Sequence, residues 1–276
     1  EPAADGRRSA RKPRLRPAGC LMQPQRDDLP FVAPCRRVGA GAPLQWLRAG
    51  WRDLRAAGGA SLVYGAVLAA LSYVVALAAW QFGTLGLYVG LATGFVFVGP
   101  LLAVGLYSLS RQREEGATPD LGRSLRDARG PLRDLLILGV VLLVVLLVWA
   151  RAVAMVHIFA PADPDTPLLD LVPFVAVGIA VGGLFAAVIF AATAFALPFV
   201  LDRDADAITA ALSSANAVLR NKPAALVWAA ILVGMVLIGF ATAFLAFVVI
   251  FPLLGHATWH AYRQTVDASA WPAREP

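Results

Sequence analysis

No Asp, Glu, Lys or Arg occurs between Lys222 and Arg263, and the same holds between Arg55 and Arg111. Laid out as a single helix at ~1.5 Å per residue, either stretch would be roughly twice the ~30 Å hydrocarbon thickness of a bilayer. Each therefore reads as two membrane spans joined by a tight turn. The chain is expected to be all-α, a polytopic helical membrane protein.

Composition agrees. Hydrophobic residues make up 59% of the chain and charged residues 15%, against about 25% charged in soluble domains. The net charge of +6 is carried by segments before and between the apolar runs, so the lipid bilayer, with its anionic headgroups, is the expected partner, and nucleic acid is not. The two cysteines, Cys20 and Cys35, precede the first span and offer neither a disulfide framework nor a CxxC pair. The opening segment EPAADGRRSARKPRLRPAGC places its basic residues before no apolar stretch of the signal-peptide kind. It reads as a disordered basic arm, with Met22 as the expected native start.

Six spans are expected, at residues 61–82, 86–110, 134–157, 171–201, 224–241 and 244–262. They group as three hairpins within a membrane domain of residues 44–264, after a disordered basic N-terminal segment of residues 1–43 and before a short tail of residues 265–276. GTLG separates the first two spans, and PADPDTPLLDLVP the third and fourth. Only Gly239 and Thr242 mark a turn between the last two, but an internal repeat supports one. FVFVGPLLAVGLYSLSRQ, from Phe95, aligns without gaps to FVVIFPLLGHATWHAYRQ, from Phe247, pairing Pro100 with Pro252 and Arg111 with Arg263. FALPFVLDRD, around Pro198, is a weaker third copy.

An amphipathic stretch precedes each hairpin. Leu47, Trp51 and Leu54 share a helical face, as do Leu121, Leu125, Ala128 and Leu132, and Ile208, Leu212, Ala215 and Leu219. Such stripes suit interfacial helices in the headgroup plane, or helices packed on the ends of the bundle. All but one of the 24 Lys and Arg residues lie before the first span, in residues 111–134, in residues 202–222 or in the tail, the exception being Arg151. The positive-inside rule then places both termini in the cytoplasm of a cell bounded by an inner membrane.

LPFVAPCRRV, PLQWLRAGWRDL, SLVYG, FVGPLLAVGLYSLSR and FPLLGHATWHAYR together resemble a bacterial family of predicted integral membrane proteins, domain of unknown function family 2189. The resemblance runs roughly from Leu29 to Thr265. Some members carry a cytochrome c oxidase subunit label. The resemblance implies a membrane protein without an established activity, and supplies no catalytic residue.

The sharpest chemical candidate is HATWHAYR. A helix puts His256 and His260 on one face, a spacing that suits two metal ligands. A peptidase of the HExxH type needs Glu where Ala257 stands. Further ligands would have to come from Asp202, Asp204 or Asp206, since His157 falls at the other membrane face. No metal, haem or other cofactor is expected. The structural alternative has Trp259, Tyr262 and Arg263 anchoring the span after a kink at Pro252, with the histidines bonded to nearby helices. Arg151, near the outer end of its span, is expected to snorkel or to pair with Asp170; a substrate role is the sharper alternative. Gly86, Gly90 and Gly94, with Gly178 and Gly182, mark close helix packing, and Pro100, Pro198 and Pro252 mark kinks.

No P-loop, Ser-His-Asp pattern or carboxylate pair within a span is present, so an enzyme is not expected. A non-enzymatic scaffold or accessory of other membrane proteins is the first functional reading. A small transporter or channel lined by Ser72, Thr93, Thr193, Thr242 and Arg151 is the second. A respiratory accessory subunit binding haem or copper is the third.

Overall fold

The computed structural model describes residues 29–83, 102–157 and 167–274. The arm with Cys20 and Met22, the stripe Gly86, Gly90 and Gly94, Pro100, Thr93 and residues 161–166 of the PADPDTPLLDLVP loop lie outside the described residues, and from Leu168 the remainder of that expected loop is helical, with Pro173 in its second turn. Helices account for the described fold, apart from isolated bridges pairing Cys35 with Val266 and Arg203 with Ala273.

Helix α1 spans Ala42–Ala57 and opens with a proline in its first turn, where a missing N–H costs nothing. It ends at Gly58, whose φ of 50° lies in the left-handed region that glycine enters freely. Helix α2, Gly59–Phe82, follows at once. Residues 102–114 are helical and form α3. Helix α4, Leu121–Asp127, is capped by Asp120, which accepts the N–H of Arg123. Helices α5 (Leu132–His157) and α6 (Leu168–Thr193) are long and apolar. The short α7, Ala196–Asp202, leads to α8, Ala207–Arg220, whose cap Asp206 accepts the N–H groups of Ile208 and Thr209. Helix α9 is Lys222–Ala241 and α10 is Phe247–Thr265. Between them Ala243 and Phe244 take positive φ, and Thr242 closes the turn by donating to Ile238 O and accepting from Ala246 N–H.

Among the described residues four segments are long and apolar enough to cross a membrane: Gly59–Ala78, Leu132–Ala152, Leu169–Asp202 and Lys222–Ala241. The expected second span, 86–110, falls partly outside the described residues. Helix α10, the expected sixth, is not among the four. Its first half is apolar, but from His256 onward it is bonded into polar neighbours. Pro198 marks a break, as expected of a residue without an N–H. Helix α6 stops at Thr193 and α7 starts at Ala196, and Ser214 of α8 enters the gap. Its hydroxyl accepts Phe195 N–H at 3.0 Å and donates to Ala191 O at 2.7 Å, the two groups an unbroken helix would have joined.

Among the described residues, buried side chains concentrate at the starts of α2, α5 and α9, along α3 and α10, and directly after α6, so most of them share one end of the helices. There α1, α4, α7 and α8 join them in a cap. Trp46 meets Phe195 and Trp228 edge-on, and Phe199 stacks on Tyr262 at 6.0 Å with Trp271 against its edge. Along the most apolar window of Leu169–Asp202, by contrast, no residue is buried. Both flanks join the cap. Residues 29–41, read from sequence as part of a disordered arm, run across it. Ala33 N–H reaches Ser213 Oγ, Val38 N–H reaches Asn221 Oδ1, and Arg36 N–H reaches Thr265 O. In the tail, Trp271 is buried against Phe199.

The cap helices bury small, polar and some large apolar side chains, and they leave apolar side chains on their outer faces as well. In α8, Thr209, Ser213 and Ser214 are buried, while Ile208, Leu212 and Leu219 are exposed. In α1, Ala49, Gly50 and Asp53 face inward and Leu44 and Trp51 outward, with Leu54 turned into the core instead of completing the outer stripe. Leu125 and Leu132 are likewise exposed and Ala128 is buried. Apolar residues on the outer face suit the headgroup plane, where they enter lipid.

Candidate functional site

Helix α10 reaches its place through glycines. Proline at position 252 deprives Val248 O of its helical donor. Gly65 of α2 lies directly against that carbonyl, where any Cβ would overlap it. Gly50 of α1 packs as closely further along, since a Cβ there would stand 2.7 Å from Ala257 N and 2.9 Å from Leu253 O. Two close approaches from separate helices thus fix the path of α10 and the histidines it carries.

His256 is fully buried, between a serine from α2 and one from α3. Its Nε2 lies 2.8 Å from Ser61 Oγ and its Nδ1 2.7 Å from Ser110 Oγ. Ser110 donates its only hydrogen to Asp53 Oδ2 at 2.8 Å, so its oxygen must accept from His256 Nδ1–H. His256 Nε2 is then left to accept the Ser61 hydroxyl. His260, one turn on, places Nε2 2.8 Å from the same Asp53 oxygen, and Arg113 reaches the other carboxylate oxygen at 3.2 Å. Burial would raise the Asp53 carboxyl. Hydrogen bonds from His260 and Ser110, with the charges of the two histidines, outweigh that and hold it below its ordinary 3.8.

The chain of donors therefore runs Ser61, His256, Ser110, Asp53. It joins α1, α2, α3 and α10, with Ser61 and His256 wholly buried and His260 and Arg113 partly exposed at the Asp53 end. Its geometry is that of a clamp. Among the described residues no group of three His, Cys, Asp or Glu side chains is placed to hold a metal ion. Asp202, considered from sequence as a partner for the histidines, instead accepts the Tyr262 hydroxyl at 2.8 Å, while Asp206 caps α8. The carboxylate beside the histidines is Asp53, two hundred residues away in sequence, and no local pattern pointed to it.

A second network lies beside the first. Arg111 binds Asp127 Oδ2 at 2.9 Å and donates to Leu201 O, and Ser108 donates to the same Asp127 oxygen at 2.5 Å. Tyr64 donates to Ser124, whose own hydrogen goes to Gly105 O. Trp259 and Tyr262 are fully buried, not placed at a headgroup surface, because they lie on the face of α10 that packs into the cap. Arg263 stays partly exposed, between Glu114 and Asp202. Trp46 Nε1 is bonded to Gln264 Oε1. Arg151 stands apart on α5, exposed, and among the described residues it makes no ion pair with Asp170 or any other acid. The side chain of His157 lies outside those described.

The segment that builds α3 to α7 matches a known family model. Residues 87–202 match the model described as predicted integral membrane protein (DUF2189). The family is the one the sequence motifs resemble. This segment contains the string around Pro100 and ends at Asp202, so α1, α8 and the His256–His260 turn lie outside it. No curated protein and no solved structure matches the chain. Residues 87–202 are thus similar to a family of predicted integral membrane proteins, in keeping with the long apolar helices, while Pro252 and most of the clamp lie outside the matched segment.

Proposed function

We propose that this chain is a non-enzymatic scaffold or accessory of other membrane complexes. The bacterial inner membrane is its proposed location, with six spans, both termini in the cytoplasm and no bound cofactor. The observation that carries this reading is the division of the molecule. Polar side chains gather in a closed cap, whereas the spans keep apolar side chains facing outward. Outward apolar faces meet lipid or other membrane proteins, and the cap offers a rigid platform to hold them in register.

The transporter reading has less support. Ser72, Thr193 and Thr242 each donate back to a carbonyl four residues earlier on their own helix. The groove between α5 and α6, of about 280 Å³, is lined by Val144, Val148, Leu184, Val188 and neighbours with no polar group. Haem or copper binding would have to displace the serine and aspartate partners of both histidines.

Photo-crosslinking groups at Ile179 and Leu184 on the exposed face of α6, used in native membranes, test the scaffold reading. Specific adducts with one membrane protein at both positions are expected. Lipid adducts alone, together with solute flux in proteoliposomes of the purified chain, would contradict it.

A further inference from the structure

Four buried side-chain N or O atoms among the described residues lack a hydrogen-bond partner, and two are N–H groups, Nε of Arg111 and Nε1 of Trp259. Both side chains line one cavity of about 260 Å³, where α3, α4, α7 and α10 meet the C-terminal segment. Buried donors are almost always satisfied, so two in side chains that border one cavity, with the Glu115 carboxylate no nearer to Arg111 Nε than 3.8 Å, indicate a missing acceptor. The electrostatics agree. Five arginines line this cavity against three carboxylates, Glu114, Glu115 and Asp202. Arg111 and Arg263 are the matched arginines of the internal repeat, so both copies point the same residue at one space.

Not all of the charge is available. Arg203 and Arg274 have nearby aspartates, Asp202 for the first and Asp134 for the second. Arg123 and Arg263 are paired with Glu115 at 2.5 Å and Glu114 at 3.2 Å. Those glutamate side chains are 44% and 34% exposed, so they can turn into water and release the guanidinium groups. Arg111 is held from behind by Asp127. A guanidinium fork matches two oxygens of a phosphate, and an indole N–H adds a neutral donor that tolerates no cation.

We propose that this cavity binds a phosphate group through Arg111, Arg123, Arg263 and the Trp259 indole, with Glu114 and Glu115 giving way to it. The group can belong to a free phosphate or to a phosphate-monoester lipid headgroup, since the cavity sits in the cap beside the membrane helices.

The test is a titration of the purified full chain, followed through the nitrogen-15 indole resonance of Trp259, assigned with Trp259→Phe. Inorganic phosphate is added in detergent, and separately the chain is placed in nanodiscs of phosphatidylcholine with or without phosphatidic acid. A saturable shift with inorganic phosphate supports the proposal with a free anion as ligand. A shift only with phosphatidic acid supports it with a headgroup as ligand. In either case Arg123→Gln with Arg263→Gln should weaken binding at least ~10-fold. Trp259→Phe, which keeps a ring in place, should weaken it several-fold by calorimetry, and Arg220→Gln on α8 should not change it. No saturable shift with either probe, or binding that survives the arginine and tryptophan substitutions, would overturn the proposal.

Discussion

Gly65 of α2 lies against the carbonyl of Val248 on α10, the group that Pro252 leaves without its helical donor, with no room between them for a Cβ. The proline opens the helix and the glycine closes over the opening. In Gly65→Ala the two helices must separate, even though alanine favours a helix over glycine by ~1 kcal/mol. Overpacking of this kind costs about 1–3 kcal/mol. Thermal unfolding in detergent should show Gly65→Ala below the parent, while Gly183→Ala, with open space around it, should be neutral or better.

Ser214 links Phe195 N–H to Ala191 O across the break between α6 and α7. Removing the hydroxyl leaves the buried Phe195 N–H and the half-buried Ala191 O without this partner, at a cost of about 1–3 kcal/mol. Ser214→Ala should therefore unfold at lower temperature, and Ser214→Thr should retain most of the stability. Hydrogen exchange at Phe195 offers a local check, rising in the alanine variant alone.

The spans were legible because lipid demands long uncharged runs, and Leu132–Ala152 and Lys222–Ala241 stand where the sequence placed them. The stripe of Ile208, Leu212 and Leu219 was equally legible, and it faces outward as an interfacial helix requires. The clamp was not. Asp53, Ser61, Ser110 and His256 come from four helices, and nothing local to any one of them announces the others. The glycines that matter were also hidden, since Gly65 and Gly50 belong to no repeated spacing, whereas Gly178 has no neighbouring group within 4 Å of where its Cβ would be. Ser214 looked like an ordinary small helix residue until the break it fills was seen.

Asp53 gives the fold a pH dependence of known sign. Its carboxyl is held below 3.8 in the folded protein, against the ordinary value when unfolded. The stabilisation is therefore complete above that ordinary value and is lost as pH falls through the lower, folded value. Stability measured between pH 7 and pH 3 should decline below about pH 4 in the parent. Asp53→Asn should be less stable at neutral pH and show a shallower decline. An unchanged acid limb would remove Asp53 as a source.

His256→Ala should destabilise the cap by about 1–3 kcal/mol, since it leaves the buried Ser61 hydroxyl without its acceptor and takes away the donor to Ser110, whose own hydrogen still goes to Asp53. Metal and haem content of the purified chain should be the same with and without the substitution. A stoichiometric metal lost in His256→Ala with His260→Ala would replace the clamp by a cofactor site.

The sidedness of the cap is tested most directly by cysteine labelling in sealed cells, starting from a variant with Cys20→Ser and Cys35→Ser. Ser269 belongs to the tail packed on the cap, and Ala241 ends α9 at the far end of its span. With six spans and a cytoplasmic cap, cysteines at Thr84, Asp165 and Ala241 should react with an impermeant reagent from outside, and one at Ser269 only after the membrane is opened. External labelling at Ser269, or protection at Ala241, would contradict that arrangement.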